Sequence, residues 1–254
     1  MMSPDWTLAE VLPTFAYYCR TPYGKLHQRN PDIIALAGRL GRTPGAVARK
    51  LTNIASCDPD LRASGRTGSA NAAQVEKDLF GRFLSEHDRV ILEANDALER
   101  LMEGEPEPVA VEPTFTPPEG PTTSLTEVAV RRVQGIFRRV VLSSYVNGCA
   151  MCDVDAPQYL TAAHIIPWSS CESRRCDPRN GMALCGIHDR AFEHGHVAVD
   201  ADLRIMVAGP ALRTRSMVLT EMVTNLGGIP LRLPERFAPD PEALEWHREH
   251  RFGG

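Results

Sequence analysis

Three short stretches of the chain carry side chains that could activate water and hold a cation. His164 ends the apolar stretch TAAHIIPW, Asn180 precedes the apolar stretch NGMALC, and His188 begins the stretch HDRAF. The pattern predicts a strand, a loop, a second strand and a short helix, with polar groups meeting at one end. Each residue alone has an ordinary explanation as a buried histidine, a turn or a helix surface. Together, in this order, they indicate a catalytic site.

The three stretches resemble the ββα-metal nuclease fold of HNH endonucleases. More narrowly, they resemble the bacterial restriction-type branch, which reads AAHIIPW, then NPRNGL-L, then HD-AFD-G. The resemblance covers about residues 131–207, and it extends to the N-terminal stretch PDIIALAGRLGRTPGAVARKL and to the tail stretch LPERF. It implies a metal-dependent endonuclease that hydrolyses phosphodiester bonds in double-stranded DNA.

The resemblance also implies a role for each residue. His164 would act as the base, because an imidazole with a pKa of about 6.5 can take a proton from attacking water. His188 would be a ligand of one divalent cation, and Asn180 would bridge the loop and hold His164 in place. Hard oxygen ligands and phosphate favour Mg²⁺ or Mn²⁺ as that cation.

One position departs from the usual HNH pattern. Many of these sites have Asp or His immediately before the base as a metal ligand, but here that residue is Ala163. A carboxylate must then come from elsewhere, and Glu193 is the first candidate. The alternative metal ligands are the imidazoles of His194 and His196 and the carboxylate of Asp189.

The cysteines suggest a second metal site. Five of the seven lie between residues 149 and 185, and no export signal is apparent, so a cytoplasmic protein with bound metal is expected rather than a disulfide framework. Cys149, Cys152 and Cys185 could bind a structural Zn²⁺. The remaining ligand could be His188 or come from the pair Cys171 and Cys176. The alternative is that all of these are small buried residues.

The N-terminal part predicts a helix-turn-helix pair. Asn30 with Pro31 and Thr43 with Pro44 are helix starts, and Gly41 is a helix end. The second helix would enter the major groove of DNA, or it would simply present a solvated polar face. Its DNA-contacting candidates are Arg42, Arg49, Lys50 and Asn53. Arg138 and Arg139, on a later helix, could clamp phosphates or be equally solvated.

Composition predicts two domains of an α+β protein. A mainly helical DNA-recognition domain would occupy residues 1–103, a Pro/Glu-rich linker 104–121, and the nuclease domain with its tail 122–254. The net charge is −4, which equals the charge of the linker alone, so the total does not exclude DNA as a partner. No apolar run is long enough to span a membrane.

Three functions fit the sequence. The first is a restriction or defence nuclease that reads a sequence or a modified base, and the second is a mobile-element nuclease. The third is a non-cleaving DNA-binding regulator with a degenerate, zinc-stabilised HNH fold. Cutting both strands with one site per chain favours a homodimer.

Overall fold

The computed structural model describes residues 5–63, 72–103, 123–209 and 214–253. The chain divides into two compact units. The first consists of Met1–Cys19, Tyr23–Asp58 and Thr67–Ile136, and the second of Arg20–Pro22, Pro59–Arg66 and Phe137–Gly254. The division therefore falls inside a long helix, and the predicted linker 104–121 lies outside the described residues. The predicted domain limits stay a prediction.

Both units combine helices with short connections, and the second adds two small antiparallel sheets. The helices are α1 (Leu8–Cys19), α2 (Pro31–Leu40), α3 (Pro44–Ala55), α4 (Pro59–Ala63), α5 (Gln74–Ser85), α6 (His87–Glu103), α7 (Thr123–Ser144), α8 (Gly186–Glu193), α9 (Met217–Met222) and α10 (Pro241–His250). The strands are β1 (Leu160–His164), β2 (Gly181–Cys185), β3 (Val197–Val199) and β4 (Ile205–Val207).

The starts and ends of α2 and α3 follow the predicted signals. The Asn30 side chain accepts a hydrogen bond from the Asp32 amide at 3.0 Å, and Thr43 accepts one from the Ala46 amide at 3.2 Å. Gly41 ends α2 with φ of 63°, a left-handed conformation that glycine adopts without strain. The structure thus has two helices joined by a short turn here, while the helix-turn-helix assignment and DNA reading by α3 stay predictions.

An aromatic cluster forms the core of the first unit. Phe15 of α1 lies 5.2 Å from Phe83 and 5.9 Å from Phe80 of α5, between ring centroids. Residues 74–103 form two helices, because the backbone leaves the helix at Glu86, with φ of −134°. The break lets α5 and α6 both pack against α1, so both apolar faces are buried.

The second unit contains the predicted strand, loop, strand and helix. Strands β1 and β2 pair antiparallel with His164 opposite Gly181, and α8 follows β2 directly. Strands β3 and β4 form an antiparallel hairpin, and α10 packs against β3. Within the described ranges, every helix is too short or too polar to cross a lipid bilayer.

Gly181 permits close packing of α7 on β2. A Cβ at this position would lie 2.6 Å from Val141 and 2.7 Å from the Phe137 ring, well inside van der Waals contact. Because glycine has no side chain, α7 approaches the strand closely enough for Phe137 to reach the end of β1.

Candidate active site and metal centre

The strand β1 ends in a histidine whose tautomer is set by its backbone partner. Nε2 of His164 lies 3.0 Å from the carbonyl oxygen of Arg175. A carbonyl oxygen only accepts hydrogen bonds, so the ring proton is on Nε2 and Nδ1 carries a lone pair. The ring also stacks on Phe137, with the centroids 3.9 Å apart. His164 is therefore held in one orientation with a basic nitrogen available.

Burial keeps this imidazole neutral. Desolvation lowers the pKa of His164 from its usual value, and the hydrogen bond to Arg175 opposes the shift only in part. A neutral imidazole is the form that can accept a proton from water.

Asn180 joins the two ends of the loop between β1 and β2. Its side-chain oxygen accepts from the Ile166 amide at 2.8 Å, and its nitrogen donates to the carbonyls of Ile166 and Arg174, each at 3.1 Å. Asn180 is 1 % exposed. The amide thus bridges the loop next to His164, and its role in holding His164 in place stays a prediction.

A cavity of about 260 Å³ lies beside His164. Besides residues of β1, it is lined by Asp189 and Glu193 from α8 and by His247 and Arg251 from the end of the chain. Glu193 was the first carboxylate candidate from the sequence and Asp189 an alternative. His247 and Arg251 were not predicted, because nothing in the local sequence connects the tail to β1.

The two carboxylates lie one helical turn apart and influence each other. Burial, together with the negative charge of Glu193, raises the pKa of Asp189. Glu193 also accepts a hydrogen bond from Arg190 at 2.7 Å, on the exposed side of α8. Paired acids in a half-enclosed cavity are suited to a cation, which removes their repulsion.

His247 is a second histidine of the cavity wall. It is 2 % exposed, its Nε2 donates to the Phe192 carbonyl at 3.0 Å, and its ring stacks on Phe192 at 3.6 Å. Burial lowers the pKa of His247 to about 4, so the ring is neutral. Its Nδ1 is buried and has no hydrogen-bond partner among the described residues.

A separate cluster of cysteines and a histidine lies at the start of α8. The ligand atoms of four side chains are within 4.8 Å of one another, and these are Cys149, Cys152, Cys185 and His188. Three sulfurs and one imidazole nitrogen form a donor set that binds tetrahedral Zn²⁺. The sequence left the fourth ligand open between His188 and the pair Cys171 and Cys176, and the structure selects His188.

The orientation of His188 fits a metal ligand of this cluster. Its Nδ1 lies 3.3 Å from the sulfur of Cys149 and 3.2 Å from that of Cys185, while its Nε2 donates to the Met222 carbonyl at 2.6 Å. An outer carbonyl of this kind orients metal-bound histidines in general. The hydrogen bond from the Cys149 thiol outweighs burial and lowers the pKa of Cys185 to about 3, so that residue is a thiolate.

This placement corrects one expectation from the sequence. His188 was expected beside His164 as a ligand of the catalytic cation, but both of its ring nitrogens have partners in or behind the cysteine cluster. Asp189, the next residue, lines the cavity instead. Successive residues of a helix point about 100° apart, so α8 directs His188 to the cysteine cluster and Asp189 to the cavity.

The cavity and the cluster differ in how closely their ligand atoms converge. Across residues 5–63, 72–103, 123–209 and 214–253, three or more histidine, cysteine or carboxylate ligands meet within 4.8 Å only in the cysteine cluster. The cavity instead has acids and imidazoles spaced around a volume that a hydrated cation could enter.

Several predicted DNA-contacting residues have intramolecular partners. Arg42 forms an ion pair with Glu10 at 2.8 Å, and Lys50 is buried in an ion pair with Glu76. Arg138 donates to the carbonyls of Leu160 and Pro157, at 2.6 and 3.0 Å. Asn53 is half-buried, and Arg49 and Arg139 are exposed. DNA contact by these residues stays a prediction, and Arg49 and Arg139 are best placed for it.

Comparison with known families finds a match over the segment that contains the cysteine cluster and His164. A family model described as HNH endonuclease matches residues 149–200, which contain the four cluster residues, the base position and Asn180. This segment is an HNH endonuclease domain. The match spans about a fifth of the chain, so helix α10 of the cavity wall lies outside it. A search of curated proteins finds no match to the chain.

Proposed function

We propose that this protein is a metal-dependent endonuclease that hydrolyses phosphodiester bonds in double-stranded DNA. The observation that carries the proposal is the position of His164. It has a neutral ring, its proton fixed on Nε2, and it borders a cavity with two carboxylates inside an HNH endonuclease domain.

In this proposal each residue has a defined task. Nδ1 of His164 takes the proton from water as it attacks the phosphorus, while Phe137 and Asn180 fix the ring and the loop behind it. Asp189 and Glu193 would hold the divalent cation, Mg²⁺ or Mn²⁺. When bound, the cation supplies charge stabilisation for the phosphate and the leaving 3′ oxygen. The positive charge of Arg251 at the cavity wall attracts the scissile phosphate.

The test is cleavage of unmodified and cytosine-modified phage DNA with Mg²⁺ or Mn²⁺. We expect wild type to cut and His164→Ala to bind DNA without cutting, since removal of a general base typically lowers the rate by about 10²–10⁴-fold. A matched control is His194→Ala, because His194 follows α8 and is not among the residues that line the cavity. Equal DNA binding by wild type and His164→Ala, with no cutting by either, would refute the proposal.

The biological role that we propose is restriction or defence in the cytoplasm. The N-terminal unit would select DNA by sequence or by base modification, with Arg49 contacting phosphates. A homodimer would supply two sites for the two strands. A preference for modified phage DNA in the cleavage test would support recognition of a modification.

A second candidate is a non-cleaving regulator with a zinc-stabilised HNH fold. The observation that favours it is the Cys149, Cys152, Cys185 and His188 cluster, which suffices to stabilise a binding module without catalysis. A regulator would bind one tight zinc and no second cation, and its DNA binding would not change with His164→Ala.

A further inference from the structure

We infer that His247 of helix α10 is a ligand of the divalent cation held by Asp189 and Glu193. This inference rests on the proposed nuclease function and adds a residue from outside the matched HNH segment. The site would then combine an imidazole nitrogen with carboxylate oxygens.

The first observation is the unpartnered nitrogen of His247. The Phe192 carbonyl fixes the proton on Nε2, so Nδ1 carries a lone pair. That atom is buried and has no hydrogen-bond partner among the described residues, although the side chain lines the cavity that Asp189 and Glu193 share. Burying an unsatisfied polar atom lowers stability, and a bound cation would offset that loss.

The second observation is that His247 is oriented in the same way as the histidine of the cysteine cluster. In both His188 and His247, Nε2 donates to a backbone carbonyl and Nδ1 faces away from it. This arrangement fixes the tautomer that a metal requires and holds the ring in one orientation. Phe192 adds a stacking contact that further restricts the His247 ring.

The third observation is that α10 is attached to the HNH domain at both ends. At its start, Asp240 pairs with Arg174 at 2.5 Å, and its amide donates to the Arg179 carbonyl at 2.9 Å. At its end, a Cβ on Gly195 would lie 1.8 Å from the Arg251 carbonyl oxygen, so the chain segments touch directly. The helix that carries His247 is therefore held against this segment at both of its ends.

Two or three protein ligands are sufficient for such a cation. Mg²⁺ and Mn²⁺ keep several waters and take further oxygens from substrate phosphates. In the structure the ligand atoms of Asp189, Glu193 and His247 do not all lie within 4.8 Å of one another, so the exposed Glu193 side chain would turn from Arg190 toward the cation on binding. A nitrogen ligand favours Mn²⁺ over Mg²⁺, because affinity for imidazole rises toward the transition metals.

The experiment is Mn²⁺ binding to the full-length, zinc-loaded chain without DNA, followed by electron paramagnetic resonance. We expect pulsed spectra of bound Mn²⁺ to reveal coupling to a histidine nitrogen. His247→Phe, which keeps the stacking on Phe192, and His247→Gln should abolish this coupling and weaken Mn²⁺ binding by about tenfold or more, roughly 1.4 kcal/mol. His164→Ala should retain the coupling.

The matched control is His250→Ala, since His250 lies on the same helix, is exposed and stacks on Trp246 instead. It should bind Mn²⁺ as wild type does. Zinc content and thermal melting report whether each variant is folded, and the inference is judged on whichever His247 variant is folded.

The outcomes separate the two proposals. If wild type binds Mn²⁺, Asp189→Asn does not, and a folded His247 variant keeps both affinity and nitrogen coupling, the inference is wrong and the nuclease proposal survives. If wild type binds no Mn²⁺ and cuts no DNA, the nuclease proposal fails as well.

Discussion

At the scale of single residues, three histidines use the same contact for different purposes. His164, His188 and His247 each donate Nε2–H to a backbone carbonyl, and each has Nδ1 left for chemistry. The surroundings of Nδ1 then decide the role. It lies among thiols in His188 and is buried without a partner in His247. In His164 we propose that it faces the attacking water.

The first prediction concerns the pH dependence of cleavage. His164 must be neutral to accept a proton, and desolvation lowers its pKa below about 6.5. The single-turnover rate should therefore rise with pH and reach half its plateau below pH 6.5. In Phe137→Ala the ring gains water, so the midpoint should move up toward 6.5. A wild-type midpoint above 6.5 would contradict the assignment of His164 as the base.

The second prediction concerns zinc. Cys152→Ala should lose bound zinc and melt at a lower temperature, because structural zinc contributes about 10–16 kcal/mol of apparent binding free energy in small zinc domains. Cys171→Ala is the matched control, since Cys171 lies outside the cluster beside Ser173. Zinc content by mass spectrometry and thermal melting provide the measurement. Equal zinc loss in both variants would show that the cluster is not the binding site.

At the scale of elements, the sequence predicted the order of strands and helices better than the direction in which their side chains point. The positions of β1, β2 and α8 could be predicted because apolar runs and the polar residues that flank them are local signals. The sequence could not decide whether His188 or Asp189 faces the cavity. That choice depends on where α8 begins, and a shift of one residue rotates a helix by about 100°.

Lys50, in the first unit, shows the same limit of prediction from local sequence. Val47, Leu51 and Ile54 form the buried face of α3, whereas the sequence analysis assigned Lys50 to the face that would contact DNA. Glu76, from a helix more than twenty residues away, covers that position and forms a buried ion pair with it. Such a partner carries no local signal, and His247 was missed for the same reason.

The third prediction tests this ion pair. Lys50→Met should lower the free energy of unfolding by about 3–5 kcal/mol, because it leaves Glu76 buried and unpaired. The double variant Lys50→Met/Glu76→Leu should recover most of that loss. Urea unfolding measures both, and DNA affinity is measured on the folded proteins. Unchanged stability with weakened DNA binding would instead assign Lys50 to DNA.

At the scale of the whole molecule, the net charge of −4 requires local basic positions for DNA binding. Arg49 and Arg139 are exposed, whereas Arg42 and Arg138 have partners within the protein. We expect the contribution of arginines to DNA affinity to follow this difference. Electrostatic contacts with phosphates release counterions and so can be counted from the salt dependence.

The fourth prediction uses the number of phosphate contacts obtained from the salt dependence of DNA affinity. Arg49→Ala and Arg139→Ala should each reduce the slope of log affinity against log salt concentration by about 0.9, the value for one phosphate contact on duplex DNA. Arg204→Ala is the control, because its guanidinium donates to the Gly228 carbonyl at 2.8 Å. Fluorescence anisotropy at several salt concentrations measures the slopes. An unchanged slope in either variant removes that arginine from the DNA interface.

Under the proposed function, the attachment of α10 to the cavity also affects when activity is gained during synthesis. The zinc ligands are complete once His188 has been made, but His247 follows about 60 residues later. At 5–20 residues per second, that interval is roughly 3 to 12 s. During it, a nascent chain can bind zinc and fold its first strands while lacking part of the cation site. Under the proposed function, the nascent chain would bind its catalytic cation more weakly, and so cut nearby nucleic acid more slowly, until α10 docks.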